Sequence, residues 1–402
     1  MNFNHTLKDG VKYSGPYWDE KELNAGIDCL KNGKWLSSGE NVARFERQFS
    51  RKFQFKHSVM VNSGSSANLV MLAGLKKFFA WPDGSEIIVS PVGFPTTIAP
   101  IVQNNLKPVF ADIETDTLNF DLKNIRVTDN TKAIFLSPVL GNPVDMDLLL
   151  DITMEFQIQL ILDNCDSLGS KWDDEYLSKY AVASSTSFYP AHHITTGEGG
   201  MVSCYNDELN SLFRSFSNWG RDCYCMGVGN LLKDGTCKER FSGWLKNYDG
   251  IVDHKYVFSN MGYNLKPLDL QGAIGCEQLK KWDEISIRRK LTYAQMVELY
   301  MKYLPVRGVD VLDKSDPCWF GVPFKSEYKD KIVKFLESEN IQTRNYFAGN
   351  ILLHPGFKDL GDYREYPNAN KVLDNVFFVG CHPSYNDDTF EYIETKLRLW
   401  KA

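Results

Sequence analysis

The stretch Thr186–Cys204 reads Thr-Ser-Phe-Tyr-Pro-Ala-His-His-Ile-Thr-Thr-Gly-Glu-Gly-Gly-Met-Val-Ser-Cys and joins two short runs of predicted strand. The chain has only seven histidines, and His192 and His193 stand side by side in this loop. A histidine beside a bound cofactor can move protons at neutral pH, whereas an isolated loop histidine is more commonly a structural hydrogen-bonding group. The segments around the loop decide between these two interpretations.

Short apolar runs alternate with helical patterns from residue 57 onward. This alternation predicts an α/β fold, with a mainly parallel sheet covered by helices on both faces. The predicted strands are Ser58–Asn62, Glu86–Ser90, Pro108–Asp112, Lys132–Ser137, Gln159–Asp163, Val182–Ser187 and Met201–Cys204. The predicted helices between them are Ser66–Phe79, Pro95–Asn104, Asp145–Glu155 and Asp207–Asn218. In such sheets, ligands bind where the strands end, and polar residues follow several of these strands.

The flanking segments complete a two-domain prediction, with a large domain over residues 1–269 and a smaller α+β domain over 270–402. Residues 219–262 lack periodicity and predict a long loop, which at this length is typical of a functional segment. The remaining predicted helices are Trp18–Leu30, Asn41–Phe49, Leu268–Tyr300, Tyr328–Glu339 and Asp387–Trp400, and the remaining strands are Val306–Val311 and Trp319–Pro323.

The composition excludes several classes of function. With 45 basic and 51 acidic residues, the net charge of −6 argues against a nucleic-acid-binding or polybasic membrane surface. No apolar run approaches the roughly 20 residues of a membrane helix, and the N-terminus lacks a secretory apolar core. We therefore expect a cytoplasmic location, where the nine cysteines would be thiols or metal ligands rather than disulfides.

Two strand ends carry candidate cofactor ligands. Asn62-Ser-Gly-Ser-Ser66 joins a strand to a helix, so its serines and free N–H groups suit a phosphate, although serine also caps helices without any ligand. Asp163 ends an apolar strand, where a carboxylate could hold a protonated ring nitrogen or merely cap a turn.

Four cysteines form a candidate metal set. Cys165 follows the strand that ends at Asp163, and Cys223-Tyr-Cys225 and Cys237 lie in the irregular loop. A Cys-x-Cys pair in a reducing compartment favours soft-metal ligation, with coincidence or a structural zinc as the alternatives.

Over nearly its whole length the chain resembles the fold-type-I, pyridoxal-phosphate (PLP)-dependent sugar aminotransferase family. The matching segments are 62–68, 91–97, 163–169, 187–200 and 262–271. The resemblance implies that Asp163 contacts the pyridine nitrogen, that Phe94 stacks on the ring and that Ser65, Ser66 and Ser187 hold the phosphate. It places Asp166 beside the ring, where the family usually has glutamine. It also implies a homodimer with shared sites, in which Asn264 reaches the cofactor phosphate of the neighbouring subunit.

One departure from the family pattern bears on the reaction. The family has a lysine two residues after Pro190 that binds the cofactor covalently, and here that residue is His192. Histidine cannot form this stable link, so we do not expect an ordinary aminotransferase cycle. Two sugar 3-dehydratase branches resemble this chain in that replacement. One is cluster-free and acts on GDP-4-keto-6-deoxymannose, and the other is the CDP-4-keto-6-deoxyglucose 3-dehydrase branch, which carries a [2Fe–2S] cluster.

The cysteine spacing resembles the iron–sulfur branch. Between Cys165 and Cys223 lie 57 residues, and Cys225 follows after one more. The gap of 11 residues from Cys225 to Cys237 is longer than in that branch, which leaves Cys204 as an alternative fourth ligand.

This resemblance implies an enzyme of dideoxysugar and lipopolysaccharide biosynthesis that uses pyridoxamine phosphate (PMP) and a [2Fe–2S] cluster. The implied catalytic base is His192, and the implied substrate is a nucleotide-linked 4-keto-6-deoxyhexose. An NADH-dependent flavin/iron–sulfur reductase would supply the electrons. The nucleotide, the sugar stereochemistry and the role of His193 stay open, as do two alternatives: the cluster-free dehydratase and a non-catalytic PLP-fold sensor.

Overall fold

The computed structural model describes residue 7 and residues 10–223 and 239–401. The helices within those residues are α1 (Glu20–Asn32), α2 (Glu40–Lys52), α3 (Gly64–Phe78), α4 (Pro95–Gln103), α5 (Met146–Glu155), α6 (Asp207–Ser217), α7 (Asp269–Lys280), α8 (Trp282–Tyr303), α9 (Lys329–Ser338), α10 (Pro367–Asn375) and α11 (Asp387–Leu397). The strands are β1 (His57–Val61), β2 (Glu86–Val89), β3 (Lys107–Phe110), β4 (Thr131–Leu136), β5 (Gln159–Asp163), β6 (Lys171–Trp172), β7 (Glu175–Tyr176), β8 (Ala183–Ser187), β9 (Gly200–Cys204), β10 (Ser315–Asp316), β11 (Gly321–Lys325), β12 (Thr343–Asn345) and β13 (Val376–Gly380).

The large sheet has seven strands in the order β1-β9-β8-β5-β4-β2-β3. The run from β8 to β3 is parallel, and β9 lies antiparallel between β8 and β1. This confirms the predicted mainly parallel α/β sheet. Its central strands are buried along their length, as expected for strands covered by helices on both faces.

Strand β8 contains only small residues, and all five are buried. Their size permits a close approach by the start of α3. A Cβ atom added to Gly64 would lie 2.5 Å from the Cβ atom of Ser187, and one added to Gly200 would lie 2.2 Å from the carbonyl oxygen of Ser63. Glycine is therefore required at both positions to seat α3 against the sheet.

A second, antiparallel sheet has the order β11-β13-β12. Its core includes Tyr300, Phe324 and Phe377 and is covered by α8, α9 and α11. Helix α7 packs against α1 and α2. The division of the chain at residue 270 stays a prediction.

Two predicted elements in the C-terminal third are wrong. The helix expected over Leu268–Tyr300 is two helices, because Lys281 has φ −93° and ψ −2° and its N–H bonds to Gln278, three residues back. The strand expected over Val306–Val311 is absent from the described structure: Arg307 makes a single bridge to Lys325, and Val306 and Val309 are buried as irregular chain. The sequence also missed β13, the central strand of the second sheet.

No helix in the described ranges is both long and apolar enough to cross a bilayer.

Candidate active site

A cavity of about 740 Å³ lies where strands of the large sheet meet the C-terminal part of the chain. Seven of the predicted site residues line it together: Ser65, Phe94, Asp163, Cys165, Asp166, Ser187 and His192. We call the part formed by Ser65, Asp163, Asp166, Ser187 and His192 the cavity floor. The lining residues Arg344, Asn345, Phe347, Ala348 and Phe378 come from the C-terminal part of the chain, and we call them the C-terminal wall.

Asp163 ends β5 and is held by four donors. Its Oδ2 accepts from Asn68 Nδ2 at 2.8 Å and from Thr97 Oγ1 at 2.7 Å. Its Oδ1 accepts from the Cys165 N–H at 3.2 Å and from Ser185 Oγ at 3.4 Å. These contacts fix the carboxylate at the end of the sheet. Asn68 and Thr97 lie at the ends of the matching segments 62–68 and 91–97, but sequence reasoning assigned them no role in the site.

The start of α3 is both a helix cap and part of the floor. Ser63 caps the helix by accepting from the Ser66 N–H at 3.1 Å, and the Ser66 hydroxyl lies 2.9 Å from Ser63 Oγ. Ser63, Gly64 and Ser65 line the cavity with Ser187, whereas Ser66 does not. The geometry therefore suits Ser65 and Ser187 better than Ser66 as groups that face a bound anion.

His192 lies in the loop between β8 and β9. Its ring centroid is 5.0 Å from that of Phe320, and its buried Nδ1 makes no hydrogen bond within the described structure. Burial lowers the pKa of His192 to about 4. The imidazole is therefore neutral at pH 7, which is the form of a base.

Asp166 lies 3.7 Å from His192 Nδ1, measured from Oδ1. Burial and the neighbouring Asp163 charge raise the pKa of Asp166 to about 8. Desolvation thus keeps both partners mainly neutral at pH 7. We therefore do not treat this contact as a salt bridge.

His193 faces a different environment. Its Nε2 lies 2.8 Å from the carbonyl oxygen of Cys318, its ring packs near Trp282, and it does not line the cavity. These contacts are those of a structural histidine.

Arg289 in α8 is a buried residue that sequence reasoning missed. Its guanidinium donates to the carbonyl oxygens of His192 (3.2 Å), Trp319 (3.2 Å), Phe320 (3.2 Å) and Cys381 (3.0 Å). One buried side chain thus ties the histidine loop to the ends of β11 and β13. A basic residue on a predicted helix surface gives no sequence signal for such a role.

The structure tests the predicted cysteine set only in part. Cys165 lines the cavity and Cys223 is buried, whereas Cys225 and Cys237 lie outside the described residues. Within residues 10–223 and 239–401, no three His, Cys, Asp or Glu side chains are arranged to hold a metal.

Cys204 is poorly placed as the alternative fourth ligand. It pairs with Ala183 at the start of β8, whereas Cys165 follows the opposite end of the neighbouring strand β5. Four residues of strand span about 13 Å, and Cys204 Sγ contacts the carbonyl oxygen of Asn206 at 3.4 Å. The sheet register therefore argues against Cys204.

Asn264 is exposed and does not line the cavity of its own chain. It makes an antiparallel bridge with Asn218, and its Oδ1 accepts from Lys266 Nζ. Its predicted contact with a neighbouring subunit stays a prediction.

The DegT/DnrJ/EryC1/StrS aminotransferase family model matches residues 16–398. The chain belongs to this family. Among curated relatives, a dTDP-4-dehydro-2,6-dideoxy-D-glucose 3-dehydratase of Saccharopolyspora spinosa is 39% identical, covering 95% of this chain and 85% of the relative. The lipopolysaccharide biosynthesis protein RfbH of Salmonella typhimurium is 35% identical, and the match covers 96% of this chain and 90% of RfbH.

A solved structure of a GDP-4-keto-6-deoxymannose-3-dehydratase mutant with bound GDP-perosamine is similar to this member of the DegT/DnrJ/EryC1/StrS family. It superimposes with a TM-score of 0.85 at 29% identity, covering 96% of this chain and all of that one. The same dehydratase with a trapped PLP-glutamate geminal diamine gives a TM-score of 0.84. These matches confirm the resemblance and the predicted fold type.

Proposed function

We propose that this chain is a PMP-dependent 3-dehydrase of a nucleotide-linked 4-keto-6-deoxyhexose, reduced through a [2Fe–2S] cluster in 3,6-dideoxysugar biosynthesis. The observation that carries the proposal is His192. It stands at the family's lysine position, lines the cavity and is neutral because it is buried. A neutral imidazole can take a proton but cannot hold the cofactor covalently.

The floor fits a pyridoxal-type cofactor. Asp163 presents a carboxylate held by four donors, and Gly64, which has no Cβ atom, lets the start of α3 approach Ser187 closely. Phe94 lines the same cavity and is 51% exposed, so its ring is available for stacking. When bound, PMP would supply an amine and a ring that accepts electrons.

The protein groups then have defined tasks. Asp163 would keep the ring nitrogen protonated, and Ser65 and Ser187 would hold the phosphate, with Asn264 of a neighbouring copy assisting in a homodimer. His192 would take a proton at an imidazole nitrogen. Asp166, which carries a proton at neutral pH, would donate a hydrogen bond beside it.

The cluster is the finer part of the proposal. Its ligands would be Cys165, Cys223, Cys225 and Cys237, and it would pass single electrons from an NADH-dependent flavin/iron–sulfur reductase. The support is the spacing of the cysteines together with the position of Cys165, which lines the cavity next to Asp163.

An anaerobic purification tests the cluster. We expect brown protein with about two irons per chain, with Cys165→Ser and Cys223→Ser losing the iron. Cys204→Ser is the matched control and should retain it, because Cys204 lies at the far end of the sheet. Colourless, iron-free wild-type protein would contradict the cluster.

The second candidate function is a cluster-free 3-dehydratase. It is favoured by a GDP-4-keto-6-deoxy-D-mannose 3-dehydratase of Escherichia coli O55:H7, which is 32% identical over 95% of this chain and 97% of the relative. A coupled assay with reductase or glutamate, across CDP-, dTDP- and GDP-linked 4-keto-6-deoxysugars, separates the two. A chain inactive with every substrate would favour a non-catalytic sensor instead.

A further inference from the structure

We propose that Arg344, stacked on Tyr13 at the C-terminal wall, binds the diphosphate of the nucleotide-linked substrate. The inference rests on the proposed function, because it names the group that recognises the shared part of such substrates. Arg344 lies in β12, an edge strand of the second sheet, and lines the same cavity as His192.

The charges around the cavity single out this residue. The acidic lining residues are Asp163, Asp166 and Glu198, whereas Arg344 is the one lysine or arginine among the described residues that line it. A diphosphate entering this space needs a cationic partner, and the floor supplies serine hydroxyls rather than a lysine or arginine.

The guanidinium of Arg344 is oriented but largely uncommitted. Its central carbon lies 4.0 Å from the centroid of the Tyr13 ring, and one N–H donates to the carbonyl oxygen of Thr343 at 2.6 Å. Across the described part of the chain, no carboxylate forms an ion pair with it. A stacked guanidinium keeps its N–H donors at the edge, which is the geometry that binds phosphate oxygens in pairs.

The Tyr13 ring, on which Arg344 stacks, is a platform that the fold holds in place. Val11 forms a parallel bridge with Ile341: its N–H donates to the carbonyl oxygen of Asn340, and its carbonyl oxygen accepts from the Gln342 N–H. The Tyr13 N–H donates to Gln342 Oε1 at 3.3 Å. The Tyr13 ring also meets Phe378 edge-on, with centroids 6.1 Å apart. Less rotational freedom is therefore lost when Arg344 binds an anion.

A binding experiment with CDP, dTDP, GDP and PMP tests the proposal on the full-length wild type, Arg344→Gln and the control Arg364→Gln. Arg364 is exposed on the same part of the chain and pairs with Asp362 outside the cavity. We expect Arg344→Gln to weaken binding of the preferred nucleoside diphosphate about 10- to 100-fold. PMP affinity and the control should be unchanged.

Substitutions of Tyr13 provide a second test of the proposal. Tyr13→Phe keeps the ring and should bind the nucleotide like the wild type, whereas Tyr13→Leu removes it and should weaken binding in the same direction as Arg344→Gln. In turnover assays, Arg344→Gln should raise KM with little change in kcat, as expected when uniform binding is lost.

Each other result overturns the proposal. Unchanged nucleotide affinity in Arg344→Gln would show that the arginine has no binding role, and weakened PMP affinity alone would assign it to the cofactor phosphate. If the wild type binds PMP but no nucleoside diphosphate or nucleotide sugar, the proposed function fails as well. The wild-type titration therefore separates the two failures.

Discussion

The floor and the C-terminal wall line the same cavity but differ in how their polar groups are used. On the floor, both oxygens of Asp163 are occupied by protein donors, and a single orientation of the carboxylate results. On the wall, Arg344 stacks on Tyr13 and keeps edge donors available, among aromatic and small neighbours. The floor is preorganised for one invariant ligand, whereas the wall can accept ligands that share only an anion.

The largest effect should come from breaking the floor at its carboxylate. Asp163→Asn keeps the shape but removes the charge, so we expect turnover to fall by about 10²–10³-fold, as when one preorganised electrostatic group is lost. Steady-state assays with saturating cofactor measure it. Asp207→Asn is the control, since that aspartate is exposed and its ion pairs within the described residues are with Lys56 and His57. A variant with wild-type turnover would show that the floor does not depend on this charge.

The two adjacent histidines give a sharper and still large contrast. His192→Asn should lower turnover by about 10²–10⁴-fold with little change in stability, because the buried Nδ1 of His192 makes no hydrogen bond within the described residues.

His193→Leu should do the reverse, keeping turnover per folded molecule and destabilising the protein by about 1–3 kcal/mol, because the buried Cys318 carbonyl loses its partner. Denaturant unfolding and activity assays on both variants check this. Equal effects on both quantities would contradict the division of roles.

The smallest expected effect concerns Asp166 in cofactor-free protein. Burial raises the pKa of its carboxyl to about 8. Between the ordinary carboxyl pKa and pH 8, the folded protein therefore keeps a proton that the unfolded chain has released. The stability from this proton is complete at low pH and is lost as the pH rises to about 8. From pH 6 to 8, the wild type should lose about 2 kcal/mol relative to Asp166→Asn. If the wild type and Asp166→Asn lost stability in parallel between pH 6 and 8, the pKa of Asp166 would not be raised in the folded protein.

The placement of the floor residues in one cavity could be expected from the sequence for a physical reason. Parallel strands end at one edge of a sheet, so polar residues that follow separate apolar runs must converge, as Asp163, Ser187 and His192 do. The start of α3, which is rich in serine and glycine, is likewise recognisable because its residues are contiguous in the sequence.

The C-terminal wall and the supports behind the floor were not predictable in this way. The stacking of Arg344 on Tyr13 joins residues more than 300 positions apart, and Arg289 meets His192 through backbone carbonyls. Neither contact leaves a periodic pattern. Strand β13 was missed because a five-residue apolar run is compatible with either a buried strand or a buried helix.

Strand β8 has one further consequence. Ser185 and Ser187 are two residues apart and point to the same face of the strand. Ser185 touches Asp163, and Ser187 touches the start of α3. Two residues of strand span about 6.6 Å, so β8 sets the distance between the Asp163 carboxylate and the start of α3. A longer side chain at either position would displace the start of α3 or the Asp163 carboxylate, so the small residues of β8 determine the spacing of the groups that face the ligand.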